Sequence, residues 1–169
     1  MTNADDIAAS LRRTLRTAPA PVWLVTAATP EGRFGMTATA VFSASLAPPT
    51  LAVCVNREAS LYDALLAAER FGVHALTSDH TDIARHFGST RLAAERFRHG
   101  EWSNPHGVPR LAGALGSFIC ARRAEFDVGT HTIFIGEIVE AVDGSGIPLV
   151  LHDGQLLAGI HSPSDGDQR

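Results

Sequence analysis

The side chains with the clearest chemical use lie in one stretch, Gly35-Met36-Thr37-Ala38-Thr39-Ala40-Val41-Phe42-Ser43-Ala44-Ser45. Its neighbour, Thr50 to Val55, follows Pro48-Pro49 and ends at Asn56. Small and hydroxyl side chains alternate with apolar ones at the period of a strand, so a planar ligand can lie almost against the backbone. Beyond Asn56, Ser60-Leu61-Tyr62-Asp63 reads as a capping box, which puts Ser60 where free amides point outward and an anion is welcome. Asp63 in the same turn argues against a phosphate, and a plain N-cap accounts equally for Ser60.

His131 is the sharpest candidate for proton chemistry, on a strand-like run after Gly129-Thr130. The chain has eight histidines, but none forms an i, i+4 pair around a carboxylate as in HExxH, so no metal is expected. Cys54 and Cys120 sit in apolar strand-like runs and read as buried small hydrophobes, too few for a disulfide framework. Arg91, Arg96 and Arg98 read either as contacts for a nucleotide phosphate or as an exposed helix face. Neither Gly-x-Gly-x-x-Gly nor a P-loop is present, so a dedicated nucleotide-binding domain is not expected.

Residues 4–17 read as an amphipathic helix with Ile7, Leu11 and Leu15 in one stripe, Asp5 and Asp6 at its start and arginines near its end. Strands are expected over 22–28, 34–40, 50–55, 71–77, 118–128, 132–142, 147–152 and 155–157, the last two flanking a hairpin turn at Asp153-Gly154. In the 118–128 strand, Phe118, Cys120, Ala124, Phe126 and Val128 are assigned to one face, and 132–142 reads as covered on both faces. Helices are expected over 61–69 and 81–87. The stretch 88–110 reads as a short helix and an irregular loop, suited to covering a ligand or reaching a second subunit. Many short strands with few helices argue for an antiparallel barrel.

The 169 residues bound one domain with a sizeable core. A net charge of −4 without a basic run excludes nucleic acid as an expected partner. No leader-like start or apolar run long enough for a bilayer is present, so the expectation is a cytoplasmic protein without a membrane partner.

Gly35-Met36-Thr37-Ala38-Thr39-Ala40, followed by Ser43-Ala44-Ser45-Leu46-Ala47-Pro48-Pro49 and an apolar strand, resembles the flavin reductase-like domain family. These are the short-chain NAD(P)H:flavin oxidoreductases that serve two-component flavin monooxygenases. The resemblance continues through Phe71 to Leu76, Ile83 to Phe87, Arg96-Phe97 and Gly129 to Glu137, covering about residues 20 to 157 in the family's order. It implies a mainly β fold, a six-stranded antiparallel Greek-key split barrel with a few short helices. The domain spans residues 1–161, followed by a loose tail at 162–169, and forms a homodimer with flavin near the interface.

The resemblance further implies that NADH or NADPH reduces FMN or FAD and that reduced flavin leaves for a flavin-dependent monooxygenase. The nicotinamide stacks on the flavin itself. Met36, Thr37, Ala38, Thr39, Ala40, Val53, Cys54, Val55, Asn56 and Ser60 then hold the flavin, and His131 stands near the nicotinamide as the catalytic residue. Thr130 replaces the Asp usual before that histidine, so His131 is expected to be less tightly positioned. His74 stands where Asn is common, and the segment from Pro148 lacks the family's aromatic residues. These departures keep alive a non-catalytic flavin carrier or sensor of the same fold. A barrel with a fixed flavin acting on another small molecule is a further alternative.

Overall fold

The computed structural model describes residues 3–159. The tail expectation at 162–169 falls outside the described residues. Helix α1 spans Ala4–Thr17, with Asn3 accepting from the Asp5 N–H at its start. Twelve strands follow: β1 Ala20–Pro21, β2 Trp23–Thr29, β3 Gly32–Ala38, β4 Val41–Leu46, β5 Pro49–Asn56, β6 Arg70–Ala75, β7 Trp102–Ser103, β8 Arg110–Leu111, β9 Gly116–Val128, β10 His131–Asp143, β11 Leu149–His152 and β12 Gln155–Ala158. Two short helices interrupt them, α2 Tyr62–Ala67 and α3 Thr81–Phe87.

Seven strands form one antiparallel sheet in the order β3-β2-β6-β9-β10-β5-β4. The first and last of these are consecutive in the chain, separated only by Thr39 and Ala40. Two residues span at most roughly 7 Å, so the sheet must curl enough to bring the end of β3 beside the start of β4, although no ladder joins these two edge strands among the described residues. The expected count of six differs from these seven because the segment from Gly32 to Leu46 bends at Thr39-Ala40, leaving the β2 ladder and joining the β5 ladder.

Inside the curl lie Val25, Val53, Val55, Phe71, Val73, Cys120 and Phe134. A second apolar cluster outside it joins Val22, Leu24, Leu76, Ile83, Phe87, Leu111 and Leu149. Leu24 and Val25 point to opposite faces of β2, so β2 is buried on both sides, the role the sequence suggested for β10. In β10 only one face is deeply buried, and Val139 and Val142 near its end are exposed.

A register shift between Ile135 and Gly136 places Arg122 and Ala124 of β9 opposite consecutive β10 residues, so Arg123 is an extra residue in that ladder. Such a bulge reverses side-chain parity. Phe126 and Val128 therefore leave the face of Cys120 to which their spacing assigned them, and they stand 58% and 56% exposed. At Gly136 a Cβ would run into the Phe71 ring and Cys120, so the interior is filled there.

The segment after α3 folds back against that helix. Phe97 and Trp102 stack with Phe87 at centroid distances of 5.0 and 5.7 Å, pinning the segment to the outside of α3. The β11–β12 hairpin turns at Asp153-Gly154 as expected, both at positive φ.

Candidate active site

At the bend between β3 and β4 the chain belongs to neither ladder, so the N–H groups of Thr39 and Ala40 have no ladder partner. The Ala40 carbonyl accepts from the Cys54 N–H at 2.9 Å. Amide direction alternates along a strand, so the Asn56 N–H points the same way as that of Cys54, past the end of β4. Small side chains leave these amides accessible. The result is an open cleft of about 610 Å³ lined by Met36, Thr37, Ala38, Thr39, Ala40, Cys54, Asn56 and His131, with Leu11, Leu15, Val128 and Ile133. That volume suits a ligand of cofactor size.

Eight of the eleven candidate residues thus meet in one place. Val53 and Val55 do not line it; both are fully buried in the interior, where they support β5 from behind. Ser60 does not line it either. Nor does it cap α2, whose N-cap is Leu61 without a side-chain bond, so the expected capping box is absent. The Ser60 hydroxyl instead accepts from Arg96 at 2.9 Å. Thr37 lines the cleft, but its hydroxyl donates to the Ala84 carbonyl at 2.8 Å, tying β3 to α3. Asn56 Oδ1 accepts from the Glu58 N–H at 2.9 Å, which fixes the turn out of β5.

Cys54 is half-buried in the cleft wall rather than in the core. Burial raises its thiol above the ordinary range, which keeps it protonated and a poor nucleophile. Cys120 is buried, its thiol pushed up to about 12 for the same reason.

His131 stands at the cleft's edge, opposite Asn56 across the β5–β10 ladder. Gly129, at φ 58°, makes the turn that presents it. Thr130 Oγ lies 2.9 Å from His131 Nδ1. Thr130 thus keeps a hydrogen-bond contact to the ring, through a neutral hydroxyl that supplies orientation without the charge of an Asp. Behind the ring, Asp127 accepts from the Thr132 hydroxyl at 2.6 Å and pairs with Arg57 at 3.4 Å. Arg57 also donates to the Gly129 carbonyl, bracing the turn.

Arg96 is neither an exposed face residue nor free to meet a phosphate. It is 7% exposed and donates to the carbonyls of Gly35, His86 and Ser89 as well as to Ser60. Its clamp locks β3, α3 and the turn before α2 together behind the cleft. Sequence reasoning also missed Leu11, Leu15 and Val128 as cleft residues. The apolar stripe on α1 was the available signal for the first two, while the bulge at Arg123 concealed the third. Leu11 and Leu15 remain 57% and 63% exposed.

The cleft fits a flavin. The small side chains of Ala38, Thr39 and Ala40 leave room for a planar ring against the backbone, and the amides near Thr39, Ala40 and Asn56 are donors suited to a polar ring edge.

The family description "Flavin reductase like domain" matches residues 15–159. The reductase component of an FADH(2)-dependent resorcinol hydroxylase from Rhizobium sp. (strain MTP-10005) is 39% identical over 158 residues, 91% of this chain and 88% of that protein. An FMN reductase (NADH), RutF 2, from Methylorubrum extorquens (strain PA1) is 38% identical over 149 residues, 88% and 87% of the two chains. The solved NADH:FAD oxidoreductase SgcE6 of Streptomyces globisporus C-1027, in complex with NAD and FAD fragments, superposes with a TM-score of 0.84 at 29% identity over 99% of both chains.

Proposed function

Because this chain belongs to the flavin reductase-like domain family, we propose that it is an NADH-dependent flavin reductase supplying reduced FMN or FAD to a partner monooxygenase. The observation that carries the reading is the convergence of the strand-crossing amides, the small side chains of β3 and β5, and His131 on one cleft. The chemistry supplied there is hydride transfer from nicotinamide C4 to flavin N5, and the cofactors themselves provide its electronics.

The chain's own residues bind, orient and stabilise. Met36, Ala38, Thr39 and Ala40 form the wall against which the ring lies. The N–H groups of Thr39, Ala40 and Asn56 offer donors where negative charge develops at the ring's polar edge. Val53 and Val55 hold β5 in register from the interior, and Thr37 and Ser60 act through α3 and Arg96 as positioning residues. His131, oriented by Thr130, stands where it can align the nicotinamide or hold a proton.

The finer architecture follows if β3 and β4 are counted as one bent strand, which makes a six-stranded Greek-key split barrel over a single domain, residues 1–161. A homodimer accounts for the exposed stripe of Ile7, Leu11 and Leu15 beside the cleft and for exposed Phe126 and Val128. A second copy over this face would bury them and narrow the open cleft. Among the described residues no helix is long and apolar enough to cross a membrane, and a cytoplasmic location agrees with the reduced-nicotinamide supply the reaction needs.

Steady-state NADH oxidation by flavin-stripped protein, with free flavin as the varied substrate, tests the reading. Saturation by free flavin is expected. His131→Ala should lower kcat/KM for NADH by about 10-fold or more, the scale at which losing an orienting or proton-handling group is felt, while flavin affinity stays within about 3-fold. Flavin binding with no NADH oxidation would favour the carrier or sensor. A flavin that never dissociates would favour a fixed prosthetic group.

A further inference from the structure

Three potential metal ligands that lie apart in sequence come together on the outer side of α3. His86, in its last turn, Glu95, in the short helical turn Ala93–Arg98, and His99, just after that turn, each offer one ligand atom within 4.8 Å of the others. None of the three lines the flavin cleft.

Two further features of the group favour a cation. His86 Nδ1 lies 2.7 Å from the Asp82 carbonyl oxygen, which can only accept, so Nδ1 carries the hydrogen. The lone pair of the neutral ring is therefore on Nε2. Backbone carbonyls orient metal-binding imidazoles in this way. Glu95 is flanked in sequence by Arg91, Arg96 and Arg98, yet its carboxylate forms no ion pair among the described residues. The His99 ring stacks on His86 at a centroid distance of 4.0 Å and a tilt of 34°. It has no hydrogen-bond partner of its own among the described residues.

We propose that His86, Glu95 and His99 bind one zinc-like divalent transition-metal ion, with water completing a tetrahedral site. Two nitrogens and one carboxylate oxygen form a donor set that zinc accepts, with ligands at roughly 2.0–2.2 Å from the ion. Such ligands stand about 3.3–3.6 Å apart, so small rotations of these surface side chains complete the site.

The ion would cross-link α3 to the segment that carries Arg96. Arg96 follows Glu95 directly and donates to the His86 carbonyl at 3.3 Å, to Gly35 at 3.0 Å and to Ser60 at 2.9 Å. The ion is thus a surface staple on the clamp behind the cleft, and the chemistry inside the cleft has no need of it.

Equilibrium dialysis of the tag-free full chain with Zn²⁺, and absorption spectra with Co²⁺ as the probe, test the site. One ion per chain is expected, with a tetrahedral cobalt spectrum and a rise in melting temperature that a chelator reverses. Glu95→Gln and His99→Ala should each weaken binding by at least about 10-fold, the smaller end of what losing even an outer partner causes. His152→Ala, remote from the group, should bind as the parent does, and circular dichroism confirms that each variant is folded. Absence of stoichiometric zinc, or an affinity unchanged by both ligand substitutions in folded protein, overturns the proposal. Because the readouts are stoichiometry, spectrum and melting temperature, failure here leaves the flavin reading untouched, and failure of that reading leaves this one intact.

Discussion

Ala40→Trp should abolish flavin binding while leaving the fold intact. Ala40 is exposed at the point where the chain passes from the β2 ladder to the β5 ladder, and its side chain lines the cleft. Its one structural duty among the described residues is the carbonyl bond to the Cys54 N–H, which the substitution keeps. An indole there stands between a planar ligand and the backbone amides it must reach. The expected loss is at least ~100-fold in flavin affinity, about 2.7 kcal/mol, with the melting temperature within about 2 °C of the parent. Fluorescence titration with FMN and FAD, alongside thermal unfolding, checks both halves. Retained affinity in a folded variant would mean that flavin sits elsewhere.

The second large effect concerns acid stability and arises at His74 on β6. His74 is fully buried between three partners: Ser117 Oγ lies 2.8 Å from Nδ1, while the Pro109 carbonyl and Thr26 Oγ lie 3.2 and 3.1 Å from Nε2. Thr26 spends its own proton on the Pro109 carbonyl at 2.6 Å. Nε2 therefore carries the ring hydrogen and Nδ1 accepts from Ser117, so the neutral ring is satisfied at both nitrogens. Burial, reinforced by the charges of Arg110 and His80 and partly offset by the Pro109 carbonyl, pushes its pKa down from 6.5 to about 3.

The unfolded chain thus takes up a proton near pH 6.5 that the folded chain refuses until about pH 3. His74 costs no stability above pH 6.5. As pH falls below that value, unfolding is favoured by up to about 1.4 kcal/mol per pH unit. Burial also lowers His80, which adds a second contribution of the same sign. Depressed carboxylates such as Glu140, held by its hydrogen bond to Arg110, act below their own ordinary range. Urea unfolding of the parent and of His74→Asn between pH 4.5 and 7.5 separates the His74 share from that of His80. His74→Asn, which cannot titrate, should flatten the slope by about one proton. At neutral pH it should be less stable by about 1–3 kcal/mol, because Ser117 and Pro109 lose a fitted partner. An unchanged slope in the variant would show that His74 is not the group refusing the proton.

Much of the β3–β5 site was legible in the sequence because strand alternation and small side chains are local signals. The run from Met36 to Ala40 needs a flat, accessible wall, and its composition states that need directly. What was not legible depended on pairing between distant segments. The Arg123 bulge is invisible to a period-2 reading, so Phe126 and Val128 were assigned to the wrong face. Arg96 looked like one cation in a surface run, since only the fold brings the Gly35, His86 and Ser89 carbonyls around it. Ser60 carried a valid local capping pattern, but Arg96 claimed its hydroxyl and α2 began later. Histidine spacing along one helix could not find a group that joins α3 to the turn after it. Thr130 was read by what it lacks, a charge, while the contact its hydroxyl makes to the neighbouring ring shows only in the structure.

The central claim is that this cleft brings reduced nicotinamide and flavin together for direct hydride transfer. The most direct measurement is anaerobic stopped-flow mixing of the flavin-loaded protein with NADH, following the loss of oxidised-flavin absorbance and comparing NADH with NADH deuterated at the transferred C4 position. The account predicts a rate that saturates with NADH, a clear slowing with deuterium, and loss of the signal in Ala40→Trp. Bound flavin that stays oxidised in the presence of excess NADH would contradict it.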